Sequence, residues 1–332
     1  MNVKLLLWAG ALWCVQAVAQ APLPSLANSA YERAHRAMYW ADWDELERLD
    51  AAARVDPERA RNGGLALCQV REAMGGGHGN PSLAYHEARV AGTLAWAQRR
   101  PELALAHAAH LEALSGLAWF HRGSGYANTV SEQRFRDFRA TLDRAQAYAE
   151  QHAAVLSGDG FAAQVMAELL RDRGASVAQQ LAAARRGLAK EPWDECIYRS
   201  VINNLMPKWG GSPQQLEAWV REAMRNLPEA EASMRYVRLY NDAVGHHYEQ
   251  SLFEDTLVQW PLMREGLKRM VATHPQSEYW RNRRAFLACM AKDRDTAAEA
   301  LEPIDKPDLD AWGGGSDGQR NYQACRRWAL QS

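Results

Sequence analysis

The side chains best equipped for chemistry are His107, His110 and Glu112, crowded into one helical run, with His78, His86 and His121 in neighbouring segments. Zinc needs three or four converging ligands, and hydrolysis on the metal needs a base as well. Neither an HExxH pattern nor metal-type cysteine pairs occur, and His107 and His110 lie among alanines as helix-packing residues do. His246 and His247 are adjacent, so on a helix they point in different directions. Ser124 stands between Gly123 and Gly125 but lacks the full G-x-S-x-G elbow and its preceding strand. Glu254 and Asp255 fall on a solvated face, which gives little support to glycoside chemistry. The expectation is a binding protein with no catalytic residue, metal or cofactor. The competing class is an enzyme with its site between two lobes, built on His107, His110 and Glu112.

Two glycine-bearing loops are the expected recognition surfaces. In the loop from His121 to Val130, Arg122, Tyr126 and Asn128 are the candidate contacts. Gly123, Ser124 and Gly125 could form an anion-binding nest of N–H groups beside Arg122 and Arg134, although the phosphate-loop pattern is absent. In the second loop, Lys208 and Trp209 precede Gly210, Gly211 and Ser212 and could border a groove. The plain structural reading of both loops is chain reversal between helices, with Trp209 packed under its turn.

Those loops belong to a repeated frame. Gly174 and Ser176 open an Ala/Leu-rich run that ends at Pro192; Gly210 and Ser212 open another that ends at Pro228, 36 residues further on in each case. A Ser at each helix start and a Pro after each helix, at that period, predict stacked helical hairpins. Elsewhere Tyr31, Ala34 and Met38, and then Leu46, Leu49 and Ala53, mark helical faces, with Asp42 capping the second helix after a turn at Ala41. Asp56-Pro57-Glu58, Asn80-Pro81 and Ser131 read as further helix starts, and the glycines around His78 as a break. Helices are expected over 246–260, 261–273, 276–290, 296–302 and 322–330, with a loop over 310–318. No strand alternation is visible. The fold expected is all-α, a tetratricopeptide-like α-solenoid of helical hairpins, with an N-terminal lobe over 20–157 and a C-terminal repeat lobe over 158–332.

Residues 1–19 read as a secretory signal: Lys4, an apolar run from Leu5 to Val15, then Ala17-Val18-Ala19. That run is too short to span a bilayer, so a protein exported to the periplasm or secreted is expected, with no transmembrane anchor after cleavage. A formal charge of −1 without basic blocks argues against nucleic acid. A protein or peptide partner, or an envelope component, is expected instead. Thirteen Trp supply large apolar wedges for a helical core. Export leaves Cys68, Cys196, Cys289 and Cys325 in an oxidising compartment. A Cys289–Cys325 disulfide would staple the C-terminal cap, worth roughly 3 to 4 kcal/mol on the chain-entropy model. Cys68 and Cys196 read as buried small hydrophobes.

Three stretches have a familiar look. They are Arg122-Gly123-Ser124-Gly125-Tyr126-Ala127-Asn128-Thr129-Val130, Met206-Pro207-Lys208-Trp209-Gly210-Gly211-Ser212, and an ending with Phe286-Leu287-Ala288-Cys289 and later Cys325-Arg326-Arg327-Trp328-Ala329. Over residues 30–330 the chain resembles the bacterial family called domain of unknown function 4034. The resemblance implies a tetratricopeptide-like helical fold and carries no activity or catalytic residue with it.

Overall fold

The computed structural model describes residues 26–55, 64–75 and 82–330. The expected signal segment, the Asp56-Pro57-Glu58 cap, the Asn80-Pro81 start and His78 lie outside the described residues. Within them the chain is all-helical, with no β-strand. The first six helices are α1 (Leu26–Trp40), α2 (Trp43–Val55), α3 (Ala66–Gly75), α4 (Leu83–Arg99), α5 (Ala104–Arg122) and α6 (Glu132–Gln151). After the single turn α7 (Ala153–Leu156) come α8 (Gly160–Asp172), α9 (Val177–Leu188), α10 (Glu195–Asn204), α11 (Pro213–Met224) and α12 (Glu229–Ala243). The remainder is α13 (Leu252–Asp255), α14 (Trp260–Thr273), α15 (Glu278–Met290), α16 (Arg294–Leu301) and α17 (Gly315–Leu330).

The helix starts follow the local chemistry. The Ser131 hydroxyl accepts from the Arg134 amide, and Asp42 accepts from the Glu45 amide just after Ala41 takes a positive φ of 54°. Ser176 makes a full capping box with Gln179, and Ser212 accepts from the Gln215 amide. The repeated pair Gly174 and Gly210 adopts nearly the same left-handed φ, 77° and 82°. That conformation is one that glycine takes without steric cost. At the following position a Cβ on Gly211 would stand 2.0 Å from the Leu205 carbonyl oxygen, so this turn closes only on glycine.

Two expectations near the C-terminus need correction. Residues 246–260 do not form one helix: α12 runs into a π-helical turn over Val244–Tyr248, and Glu249 then takes φ 40°, ψ −105°, which ends it. Residues 310–318 are not one loop either. A 3-10 turn over Leu309–Trp312 leads through three glycines of positive φ into α17, which starts at Gly315 rather than near Tyr322.

The buried apolar side chains form two clusters. One gathers α1 to α6 with one face of α8, and the other runs from α8 to α17. They meet at α8, where Met166 packs against both. Within the second cluster α8 packs on α9 and α10, and α12 on α10, α11 and α14. Trp219 and Trp312 are fully buried, yet both satisfy their indole N–H, on the Tyr198 carbonyl at 2.9 Å and on Asn282 Oδ1 at 2.8 Å. Among the described residues no helix is long and apolar enough to cross a membrane.

Candidate functional site

Five helices each give their second face to one cleft. On α8, Phe161, Ala162, Val165 and Leu169 enter the core, while Gln164, Glu168 and Arg171 form a polar stripe at helical spacing on another side. The same spacing recurs as Glu112, Ser115 and Trp119 on α5, Cys196, Arg199 and Asn203 on α10, and Tyr279, Arg283 and Phe286 on α15. On α3 it is Cys68, Arg71 and Gly75. Together with Asn241 and Asp242 of α12 and the first turn of α17 they enclose about 1790 Å³. The cleft runs past both apolar clusters.

Its N-terminal half holds Glu72, exposed on α3, and two enclosed acids. Glu112 and Glu168 keep some surface open to the cleft but are otherwise surrounded by protein. Burial raises the Glu112 carboxyl, and burial together with the charge of Glu112 pushes Glu168 up to about 8. Near neutral pH this pair holds at least one proton. A carboxyl whose folded pKa lies above its ordinary 4.5 is protonated in the native state where the unfolded chain is not, so stability falls as pH rises from 4.5 through 8. Urea unfolding at pH 5 and pH 8.5 should show that loss in the native sequence, and Glu168→Gln should flatten most of it. An equal slope in the variant would place the proton elsewhere.

Its C-terminal half holds an unusual cation. Arg283 is 4% exposed and lines the cleft, yet no carboxylate pairs with it among the described residues. Its Nε donates to Asn241 Oδ1 at 2.5 Å and its Nη1 to the Ala311 carbonyl at 2.8 Å, both neutral acceptors. Nearby Asp242 is held by Arg199 in a two-pronged pair at 2.8 and 3.0 Å. Burial lowers the Arg283 pKa below its ordinary value.

The two loops singled out from sequence come together through Trp119, which lines the cleft. Trp119, at the end of α5, meets Trp209 edge to face with ring centres 6.0 Å apart. Arg122 lies over Trp119 at 5.0 Å, and Arg171 over Trp209 at 5.0 Å. Arg122 also donates to the carbonyls of Gly123 and Gly125, while Arg134 donates to those of Phe120 and Arg122. Both guanidinium groups thus hold the loop's own backbone. Tyr126 is 86% exposed and Asn128 is exposed, whereas Trp209 is half-buried and Lys208 donates to the His246 carbonyl at 3.2 Å.

The histidines do not converge on the cleft acids. His107, His110 and His152 pack around Tyr148 between α5 and α6, with His107 Nδ1 2.7 Å from the Tyr148 hydroxyl and His110 Nδ1 3.1 Å from Thr93 Oγ1. Burial drives His110 down to about 4, leaving it neutral at physiological pH. Glu112 faces the cleft, and of the described imidazoles named from sequence only His86 and His246 line it. Among the described residues no three His, Cys, Asp or Glu side chains are placed to hold a metal.

Cys68 and Cys196 require a further correction. They are a pair, not two isolated hydrophobes: their sulfurs lie at disulfide distance with Cα atoms 5.2 Å apart, and both line the cleft where α3 meets α10. Cys289 and Cys325 are at disulfide distance too, Cα to Cα 5.8 Å. Sequence reading also missed the charge network behind the cleft wall. Arg54 reaches Asp50, Asp159 and Glu191, each within 2.7 Å, and Arg71 reaches Asp194 at 2.6 Å. Its only sequence signal was charge at otherwise buried helical positions. No protein-family model matches the chain, and the comparison with curated proteins found no match.

Proposed function

We propose that the chain is an exported, non-catalytic helical-repeat protein of tetratricopeptide-like design that binds a peptide or protein segment in its cleft. The observation that carries this reading is the cleft itself. It extends along polar stripes of five helices and has an aromatic rim, a form suited to a chain of residues more than to one compact cofactor. Two disulfide-distance cysteine pairs accord with an oxidising compartment and hence with export. Tyr126, exposed on the loop next to the cleft, and Trp209, packed edge to face on the cleft-lining Trp119, supply contact area at low entropic cost. Crosslinked co-purification at native expression level tests the reading. The double variant Tyr126→Ala/Trp209→Ala, shown to be folded by circular dichroism, should lose its partner with a cost of about 2 kcal/mol, roughly 30-fold in affinity. Retention of the same partner by the variant would remove these residues from the surface, and absence of any partner from the native protein would remove the function.

A second reading, an enzyme, draws on one observation. The protonated Glu112–Glu168 pair faces a cleft and could act as a general acid. It differs from the binding reading in requiring turnover that Glu168→Gln abolishes while partner capture persists.

A further inference from the structure

We infer that the C-terminal end of the cleft is a receptor for a carboxylate, with Arg283 and the first turn of α17 as its two donors. Arg283 is nine-tenths buried, and two of its nitrogens are committed to neutral acceptors. Among the described residues nothing hydrogen-bonds its Nη2, which is not among the sealed polar atoms either, so it opens onto the cleft that Arg283 lines. A guanidinium held in place with one donor free, and with no carboxylate of its own, is arranged to receive an oxyanion.

The second donor comes from the chain that Arg283 already touches. Ala311, whose carbonyl takes Nη1, is followed by Trp312 and by Gly313, Gly314 and Gly315, all of positive φ, which lead into a helix of 16 residues. Among the described residues the amides of Gly315, Ser316 and Asp317 make no backbone hydrogen bond. Gly313, Gly314 and Asp317 line the same end of the cleft. A Cβ built on Gly315 meets nothing within 4 Å, so the approach to the helix start is open. Free N–H groups and the positive end of the helix dipole favour an anion there.

The charge of the ligand follows from the acids around it. Asp242 is neutralised by Arg199 and Asp317 pairs with Arg320, but Asp310 and Glu249 border the site with no cation partner among the described residues. A dianionic phosphate would be repelled twice as strongly by those acids as a single carboxylate. The structure therefore assigns this end to a monoanionic carboxylate. In a peptide that group is the C-terminus or an Asp or Glu side chain.

This assignment rests on the cleft as a peptide site, yet it can fail separately, because small carboxylates bind or do not bind whatever partner co-purifies. The test is a titration of the full mature protein, deuterated and 15N-labelled, followed by TROSY spectra of its glycine amides. N-acetyl-Ala-Ala-Ala as the free acid should shift Gly313, Gly314 and Gly315 saturably. Its C-terminal amide should bind at least tenfold more weakly, and inorganic phosphate more weakly than the free acid. Arg283→Gln should cut free-acid binding at least tenfold, and should this variant fold poorly, the comparison of acid with amide on the native protein stands by itself. N-acetyl-Ala-Asp-Ala-amide separates the two sources: binding equal to the free acid supports the site with a side chain as ligand. Equal affinity for acid and amide, tighter binding of phosphate, or shifts confined to other residues would each overturn the assignment.

Discussion

Arg71→Met should lower the unfolding free energy by about 3 to 5 kcal/mol, the usual result of stranding one member of a buried ion pair. Arg71 is 1% exposed on α3, and its Nη1 stands 2.6 Å from Oδ2 of Asp194, whose side chain is fully buried. Asp194 is also the cap of α10, accepting the Cys196 amide on Oδ1 at 2.9 Å. Remove the guanidinium and the carboxylate keeps one amide in place of a cation, on a side chain that is fully buried. The double variant Arg71→Met/Asp194→Asn leaves a neutral cap and should recover much of the loss, because the cost lies in the unpaired charge rather than in the missing contact. Urea midpoints of the native chain, the single variant and the double variant measure this directly. A single variant within 1 kcal/mol of the native chain would show that solvent reaches Asp194.

That pair belongs to the part of the molecule that sequence reading could not reach. The helices were legible because their causes are local. Ser131, Ser176 and Ser212 cap within three residues, and the Gly174 and Gly210 turns repeat with nearly the same φ. The pair Arg71–Asp194 joins residues 123 apart, and Cys68–Cys196 residues 128 apart, so no local pattern announces either. The cleft was hidden for a different reason. A stripe such as Gln164, Glu168 and Arg171 has the spacing of any solvated helix face, and only the packing of α5, α8 and α10 side by side turns it inward. The recognition loops occupy an intermediate position. Trp209 and Arg122 were singled out separately, and the structure brings their loops together through Trp119. The start of α17 was missed because three glycines imitate a loop, and the π-helical turn after α12 because backbone hydrogen bonding of that kind leaves no compositional trace.

Removing the Cys68–Cys196 link by the double variant Cys68→Ala/Cys196→Ala should cost about 5 kcal/mol on the chain-entropy model for a loop of this length, against about 4 kcal/mol for the Cys289 pair. The difference follows from the sequence separations, 128 residues against 36. The larger loop also has the more consequential position. Cys68 begins the cleft stripe of α3 and Cys196 that of α10; both belong to the first apolar cluster, and the bridge ties α3 to a helix whose other buried residues, such as Ile197 and Val201, lie in the second. The Arg71–Asp194 pair lies on the same two segments, one turn beyond Cys68 and two residues before Cys196. Bridge and ion pair therefore resist the same opening, and their losses should not add. With the bridge cut, Arg71→Met should cost less than it does in the native chain, because a locally opened wall admits water to Asp194. The measurement is a four-member cycle of urea midpoints, preceded by mass determination of the unreduced protein. Four free thiols would remove the bridge, and strict additivity would show that α3 and α10 part only when the whole domain unfolds.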